Sequence, residues 1–399
     1  MSYPPIVACE IGTGTVRAVI GEARDDGNLM VTGLGECPSR GVRKGEIIDF
    51  DNALACVRRA LQLAEENGRV MIGQVHLLVS GGHIQSLVNR GSVPILNPRR
   101  EITADEIDHV MSTARAVSLP PDRQVLHTIC QHFRVDDQGG IVDPEGMEGS
   151  KLSLDMLIVH GVLSRLRNLV KIVRSAQVDV EDVAFSGLCA GLSVLTPEEK
   201  SSGVALVDLG AGTTDYVVYA NGAIATAGSI GVGGDHVTND IARGLHLSTM
   251  EAEQIKQEFG SAVVEVTARS QKVNLPAEPG SPDKTVKLVD LHTVIHVRVE
   301  ETLELVKKRL VDTGLLRSLS GGIVLTGGCA RLKNIVKLAE KAFGLPCRIG
   351  TPKGVAGLAA VSEGPQYAAP VGMVRYGFRA AAQRESAGFT GFIRRIFGK

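Results

Sequence analysis

Two short stretches of this chain combine an acid, a turn of glycine and threonine, and flanking apolar runs. The first is Glu10-Ile11-Gly12-Thr13-Gly14-Thr15, set in VACEIGTGTVRAVIG. The second is Asp208-Leu209-Gly210-Ala211-Gly212-Thr213-Thr214-Asp215, set in GVALVDLGAGTTDYVVYANG. Each spells a β-hairpin whose turn offers several backbone N–H groups to an anion. Gly210 and Gly212 let the backbone approach phosphate oxygens, and Thr213 and Thr214 bring hydroxyls. Asp208 ends an apolar strand run, where its carboxylate can hold a magnesium-bound water or orient an attacking one. One such hairpin is an ordinary turn. Two, one from each half of a chain, can clamp a nucleotide's phosphates from both sides.

The copies are unequal. Glu10 is one methylene longer than an aspartate, so to meet a metal's water shell it must overshoot or fold back. Phosphate contacts through the amides of Gly12 to Thr15 survive that change, while turnover is expected to be slow at most. Gly327-Gly328, between a strand and a helix, is a third glycine turn, where a flat adenine ring can lie against bare backbone. Gly233-Gly234-Asp235 precedes another helix, with Asp235 in its first turn. On the next helix Glu253 and Lys256 stand three apart on one face. That spacing suits contact with ribose hydroxyls and the ring, and equally a solvated, ion-paired face.

These residues need a frame. Short β-rich runs alternate with amphipathic helices, which indicates an α/β protein. Strands over 5–11, 15–22 and 29–36 precede a helix over 51–67 and a strand over 75–79. A separate unit begins after Ser80-Gly81-Gly82. It has a helix over 102–116 with Thr103 and Glu106 as a capping box, and strands over 125–135 and 154–160. Helices over 163–176 and 186–195 lead to the second hairpin. Further helices span 234–245, 249–259 and 292–311, the stretch 265–288 reads as a polar surface loop, and Pro365 opens a last core helix to about 376.

The 399 residues, 44% of them apolar, suffice for two to three domain-sized cores. A net charge of −1 creates no field that would draw nucleic acid. Seven cysteines without a C-x-x-C pair read as reduced cytosolic thiols rather than a disulfide frame or zinc site. The final residues differ in kind. Phe389, Phe392, Ile393, Ile396 and Phe397 recur at helical spacing, with Arg394, Arg395 and Lys399 on the remaining surface. A basic amphipathic segment of this type lies in a membrane interface and favours anionic lipid. One copy binds reversibly; a row of copies binds firmly through avidity.

The order of phosphate hairpin, bridging helix, second hairpin, Gly-Gly-Asp helix and Gly-Gly turn resembles the actin, sugar-kinase and heat-shock chaperone ATPase superfamily. Stretches such as SGGHIQSLVNRGSV (80–93), DPEGMEGSKL (143–152), GVGGDHVTNDIARGL (231–245) and GGIVLTGGCARLKNI (321–335) narrow the resemblance to FtsA, the actin-like bacterial cell-division family. The resemblance implies an actin-like ATPase fold of two major domains, each split in two around a nucleotide cleft. Residues 1–82 with 161–197 would form subdomain 1A, 83–160 subdomain 1C with filament contacts, and 198–227 with 301–378 subdomain 2A. Residues 228–300 would form 2B, which binds the C-terminal peptide of FtsZ and carries Arg298. Residues 379–388 would be a flexible tether and 389–399 the membrane helix.

It further implies ATP and Mg²⁺ as ligands. Gly12, Thr13, Gly14, Thr15 and Gly210, Ala211, Gly212, Thr213, Thr214 would lie at the phosphates. Glu10 and Asp208 would face the metal through water. Gly233, Gly234, Glu253, Lys256, Gly327 and Gly328 would lie around ribose and adenine. Partners would be FtsZ, further copies of the chain, anionic lipid and other divisome proteins, at the cytoplasmic face of the inner membrane at the septum. Two other readings share the architecture: a PilM-like pilus-assembly protein and a small-molecule kinase. Neither accounts for the amphipathic tail.

Overall fold

The computed structural model describes residues 4–24, 28–97, 99–275 and 284–386. Three antiparallel strands open the chain: β1 (Ile6–Ile11), β2 (Thr15–Ala23) and β3 (Leu29–Pro38). A ribbon of β4 (Val42–Arg43) and β5 (Glu46–Ile47), helix α1 (Phe50–Gly68) and β6 (Gln74–Val79) follow. An insert then comprises β7 (Gln85–Pro94), α2 (Ala104–Arg115), β8 (Arg123–Val135), β9 (Gln138–Ile141) and β10 (Lys151–Val162). The chain returns through α3 (Leu163–Ser175), β11 (Asp179–Phe185) and α4 (Ser186–Val194), and crosses over by α5 (Pro197–Ser202).

The second half repeats the opening with β12 (Val204–Leu209), β13 (Thr214–Ala220) and β14 (Ala223–Ile230). It continues with α6 (Gly234–Gly244), α7 (Thr249–Phe259), β15 (Lys272–Leu275), β16 (Lys284–Lys287) and the long α8 (Leu288–Asp312). It ends with β17 (Ile323–Thr326), α9 (Ile335–Phe343), β18 (Cys347–Ile349), β19 (Val355–Gly357), α10 (Ala359–Glu363) and α11 (Ala368–Ser386).

The two halves build matching sheets. The first has strand order β11-β6-β1-β2-β3-β19 and the second β14-β13-β12-β17-β18. In each, the opening strand pairs antiparallel with its hairpin partner and parallel with a later strand. Buried side chains form one core around each sheet and a third inside the insert, whose sheet runs β7-β10-β8-β9. The fold is therefore a duplicated α/β unit with an inserted domain, and the cleft lies between the duplicates.

Three expectations change. Residues 355–378, assigned with the second half, pack on the first. β19 adds parallel to β3, and Val371, Met373 and Val374 of α11 belong to the first core. Small residues cause this: a Cβ at Gly372 would lie only 1.7 Å from the Cys189 carbonyl oxygen, so α11 and α4 meet backbone to backbone. Second, α11 continues to Ser386, so 379–386 are helical rather than a tether. Third, the stretch read as a surface loop contains a hairpin, in which alternating Val273, Leu275 and Val286 are buried between polar neighbours. The amphipathic segment 389–399, with Phe389, Phe392, Ile393, Arg394, Arg395, Ile396 and Phe397, lies outside the described residues. Among the described residues no helix is long and apolar enough to cross a membrane.

Candidate functional site

β1 and β12 are buried on both faces except at the acid, and each carries that acid to an equivalent place beside the turn. Glu10 pairs with Arg17 and Asp208 with Asp215, each one step before the last pair of its hairpin. The hairpins meet tip to tip. A Cβ on Gly14 would lie 2.9 Å from that of Ala211, and one on Gly212 only 2.3 Å from Thr13 Oγ1. No larger side chain fits there without separating the halves. Between them opens a cleft of about 1020 Å³, lined by both turns, Gly233, Gly234, Glu253, Lys256, Gly327 and Gly328. The structure thus gathers nearly all the expected site residues, from both halves, around one cavity of nucleotide-sized volume.

The supporting contacts are specific. Thr13 Oγ1 accepts the Gly45 N–H at 3.0 Å. The Gly234 and Asp235 N–H groups donate to Gly210 O and Ala211 O at 3.0 and 2.8 Å, so the start of α6 braces the second turn. Thr214 is fully buried and its hydroxyl donates to Val232 O at 2.8 Å, a structural use rather than a free hydroxyl. Lys256 Nζ donates to Glu253 Oε2 at 2.6 Å and Thr238 Oγ1 at 2.8 Å. Thr238 also donates to Glu253. Glu253 and Lys256 therefore line the cleft as an ion pair, Lys256 largely covered and Glu253 partly exposed. Burial acts to raise the Glu253 carboxyl, but the Lys256 charge and these hydrogen bonds outweigh it and hold it below its usual range.

At the cleft floor carboxylates crowd. Burial, with the charges of Asp215 and Glu10, raises the Asp208 carboxyl well above its ordinary range. Burial pushes Asp215 to about 7, against the hydrogen bond that Ser80 Oγ donates to it at 2.7 Å. Ser80 also shares a hydrogen bond of 3.0 Å with Thr213 Oγ1, which links β6 of the first half to the second hairpin. Glu10 has folded back: its Oε2 lies 3.0 Å from Arg17 Nη1. Arg17 Nε reaches Glu36 Oε1 at 2.8 Å, Tyr367 OH donates to Glu36 Oε2 at 3.0 Å, and the guanidinium stacks 5.6 Å from the Tyr367 ring centre. Glu10, expected beside Asp208 at a metal's water shell, here has Arg17 as its ion-pair partner through Oε2.

Gly327 has φ +85°, and a Cβ there would sit 2.2 Å from Asp208 Oδ1, so the third glycine turn presses against the acid itself. After it comes a short 3-10 turn, and the helix begins only at Ile335. Sequence reasoning missed Arg17, Glu36, Ser80, Asp215 and Tyr367. Arg17 and Asp215 were findable as the register partners of the two acids; the others come from distant elements and leave no local signal. Arg298 sits mid-way along α8 and is not among the residues lining the cleft. It is held by Asp240 and Glu301, each at 2.5 Å. Among the described residues no group of three or more His, Cys, Asp or Glu is placed to hold a metal.

Comparison with known proteins agrees with this geometry. A model of "Cell division protein FtsA" matches residues 205–372, and one of the "SHS2 domain inserted in FTSA" matches 81–160. Cell division protein FtsA of Pseudomonas aeruginosa is 35% identical over 386 residues, covering 97% of this chain and 92% of the relative. That of Escherichia coli is 35% identical over 379 residues, covering 93% and 90%. FtsA of Bacillus subtilis is 31% identical over 384 residues, covering 96% and 86%. Among solved structures, a PilM-PilN type IV pilus biogenesis complex chain is similar with TM-score 0.64 at 15% identity, covering 93% of this chain and 98% of that one. MreB5 of Spiroplasma citri bound to ADP gives 0.55 at 16%, covering 96% and 98%. These structural likenesses establish the actin-like ATPase fold, and the sequence relatives establish more: the chain belongs to the FtsA family of cell division proteins.

Proposed function

We propose that this chain is an ATP-binding, actin-like anchor and assembly factor of the bacterial division ring. The observation that carries the proposal is the tip-to-tip meeting of two glycine hairpins beside Asp208, in a member of the FtsA family. In this reading the amides of Gly12–Thr15 and Ala211–Thr213 hold the phosphates, while the Gly210 N–H closes its own turn onto Thr213 O at 2.9 Å. Glu253 and Lys256 face the ribose, and adenine lies against Gly327-Gly328. A structural neighbour described as bound to ADP supports a nucleotide in this cleft. Asp208 fits Mg²⁺, because a raised carboxyl among other acids gains most from a nearby cation. When bound, the ion offsets phosphate charge. Turnover is slow, since Glu10 is committed to Arg17.

Residues 228–300 receive the C-terminal peptide of FtsZ, 83–160 contact neighbouring copies in a filament, and other divisome proteins join the assembly. Residues 389–399 insert into anionic lipid at the cytoplasmic face of the inner membrane, at the septum. Binding of a labelled FtsZ C-terminal peptide, followed by anisotropy, tests the assignment. The full chain is expected to bind, and Arg298→Ala to bind about fivefold or more weakly. No binding by the unmodified chain would contradict it.

A further inference from the structure

Helix α1 and strand β3 approach each other closely, because glycines stand at their contact. A Cβ on Gly35 would lie 1.9 Å from the Ala60 carbonyl oxygen, and one on Gly33 2.9 Å from that of Ala64. Two residues along β3 advance about 6.7 Å, and four residues back along α1 about 6 Å. The contact therefore marches in step: Gly33 against Ala64, Gly35 against Ala60, then Cys37 against Cys56. At that third step the narrow gap is filled by two thiols. Cys56 Sγ donates to Pro38 O at 3.4 Å, and Cys37 Sγ is directed at the same oxygen from 3.6 Å. Both sulfurs thus lie against one carbonyl oxygen, next to the tight approach at Gly33 and Gly35, and a disulfide would need the two Cα atoms about 4.4–6.8 Å apart.

The two sulfurs differ in access. Cys56 is buried, whereas Cys37 is only partly covered and open to a dissolved reagent. Burial and the neighbouring Cys56 raise the Cys37 pKa, while Arg59 and Arg40 act in the opposite direction and favour its thiolate. Cys9 and Cys189, by contrast, lie buried in the first core, where burial raises both thiols, Cys9 to about 12.

We propose that Cys37 and Cys56 form a redox pair, which closes to a disulfide behind the first glycine hairpin when a small-molecule disulfide such as oxidised glutathione accumulates. The Cys37 thiolate attacks one sulfur of the reagent, forming a mixed disulfide and releasing one thiolate. Cys56 loses its proton and attacks Cys37 Sγ, releasing the second thiol. Two protein thiols are oxidised and one reagent disulfide is reduced to two thiols, so electrons balance. The link lies directly behind the cleft: Pro38 pairs with Thr15, and the Ser39 N–H donates to Gly14 O at 3.1 Å. Closing it pins the strand that backs Gly14 and Thr15, so oxidation changes the affinity of the cleft for its anion. That consequence rests on the nucleotide reading above; the pairing itself does not.

The test uses the full chain in glutathione buffers, with thiol labelling and peptide mass mapping. Oxidation is expected to remove two of the seven free thiols together and yield one peptide pair joining positions 37 and 56. Cys56→Ser is expected to stop at a glutathione adduct on Cys37. A glutathione adduct on Cys37 of the unmodified chain, with Cys56 still free, would overturn the pairing. Titration with a fluorescent ATP analogue is expected to show at least about a threefold affinity change on oxidation, absent in Cys56→Ser. A formed crosslink with unchanged affinity would overturn the coupling to the cleft. No ATP binding by the reduced chain would instead count against the nucleotide reading.

Discussion

At Glu10 the extra methylene swings the carboxylate onto Arg17, and Arg17 is in turn fixed by Glu36 and Tyr367. The guanidinium pairs with Glu10 and also lowers the Asp208 carboxyl, which burial and the charges of Asp215 and Glu10 raise. Arg17→Ala is therefore expected to weaken nucleotide binding at low Mg²⁺ and to recover as Mg²⁺ is raised, when binding is followed by isothermal titration. Asp215 gives a pH signature. Its carboxyl rises from 3.8 to about 7 on folding, so the folded state binds the extra proton between those values. Stability from this group is full below the unfolded pKa and is lost as pH rises through about 7. Asp215→Asn is expected to melt with less decline than the unmodified chain between pH 5 and 7.5 (a range of about 2.5 units), in metal-free buffer. The two phosphate turns were legible in the sequence because each is a local pattern of acid, glycine and threonine. Arg17 was not, because its meaning depends on a strand register, and Glu36 and Tyr367 reach it from elsewhere in the fold.

At the scale of elements, closure of the cleft depends on contacts too tight for a side chain. Gly212→Val pushes against Thr13 and forces the hairpins apart. It is expected to lose nucleotide binding while far-UV circular dichroism stays unchanged. Gly372→Leu tests a different joint, where α11 meets α4. Overpacking there is expected to cost about 3 kcal/mol, read as a lower denaturant midpoint. Helices α1, α2, α3, α7 and α8 were legible from periodicity and caps, and the hairpin strands as apolar runs on either side of a glycine turn. The placement of α11 was not. Nothing local tells a helix of alanine, glycine and apolar residues which of two sheets it will cover; the close approaches of Gly372 to the α4 backbone and of Gly377 to Ile6 and His76 decide it. The hairpin at β15 and β16 escaped for the opposite reason: its strands are four residues each, flanked by proline and glycine.

The whole molecule is a duplicated unit whose halves touch where the side chains of Thr13 and Ala211 meet the opposing glycines, and through Ser80 beneath them. The insert joins the same joint, since Ser86 Oγ donates to Ala227 O at 2.6 Å and accepts the Ala227 N–H at 3.0 Å, while Gln131 Nε2 donates to Ile224 O at 2.8 Å. It thus follows the first half by chain and the edge strand of the second half by hydrogen bonds. A ligand that fixes the cleft fixes the insert as well. If the cleft binds ATP and the tail binds lipid, nucleotide-dependent assembly multiplies a weak single attachment into a firm one. The direct measurement is sedimentation of the full chain with anionic vesicles, with and without Mg-ATP, beside Gly212→Val. The account predicts strong ATP-dependent binding by the unmodified chain and weak, ATP-insensitive binding by the variant. Equal binding by both, with or without nucleotide, would contradict it.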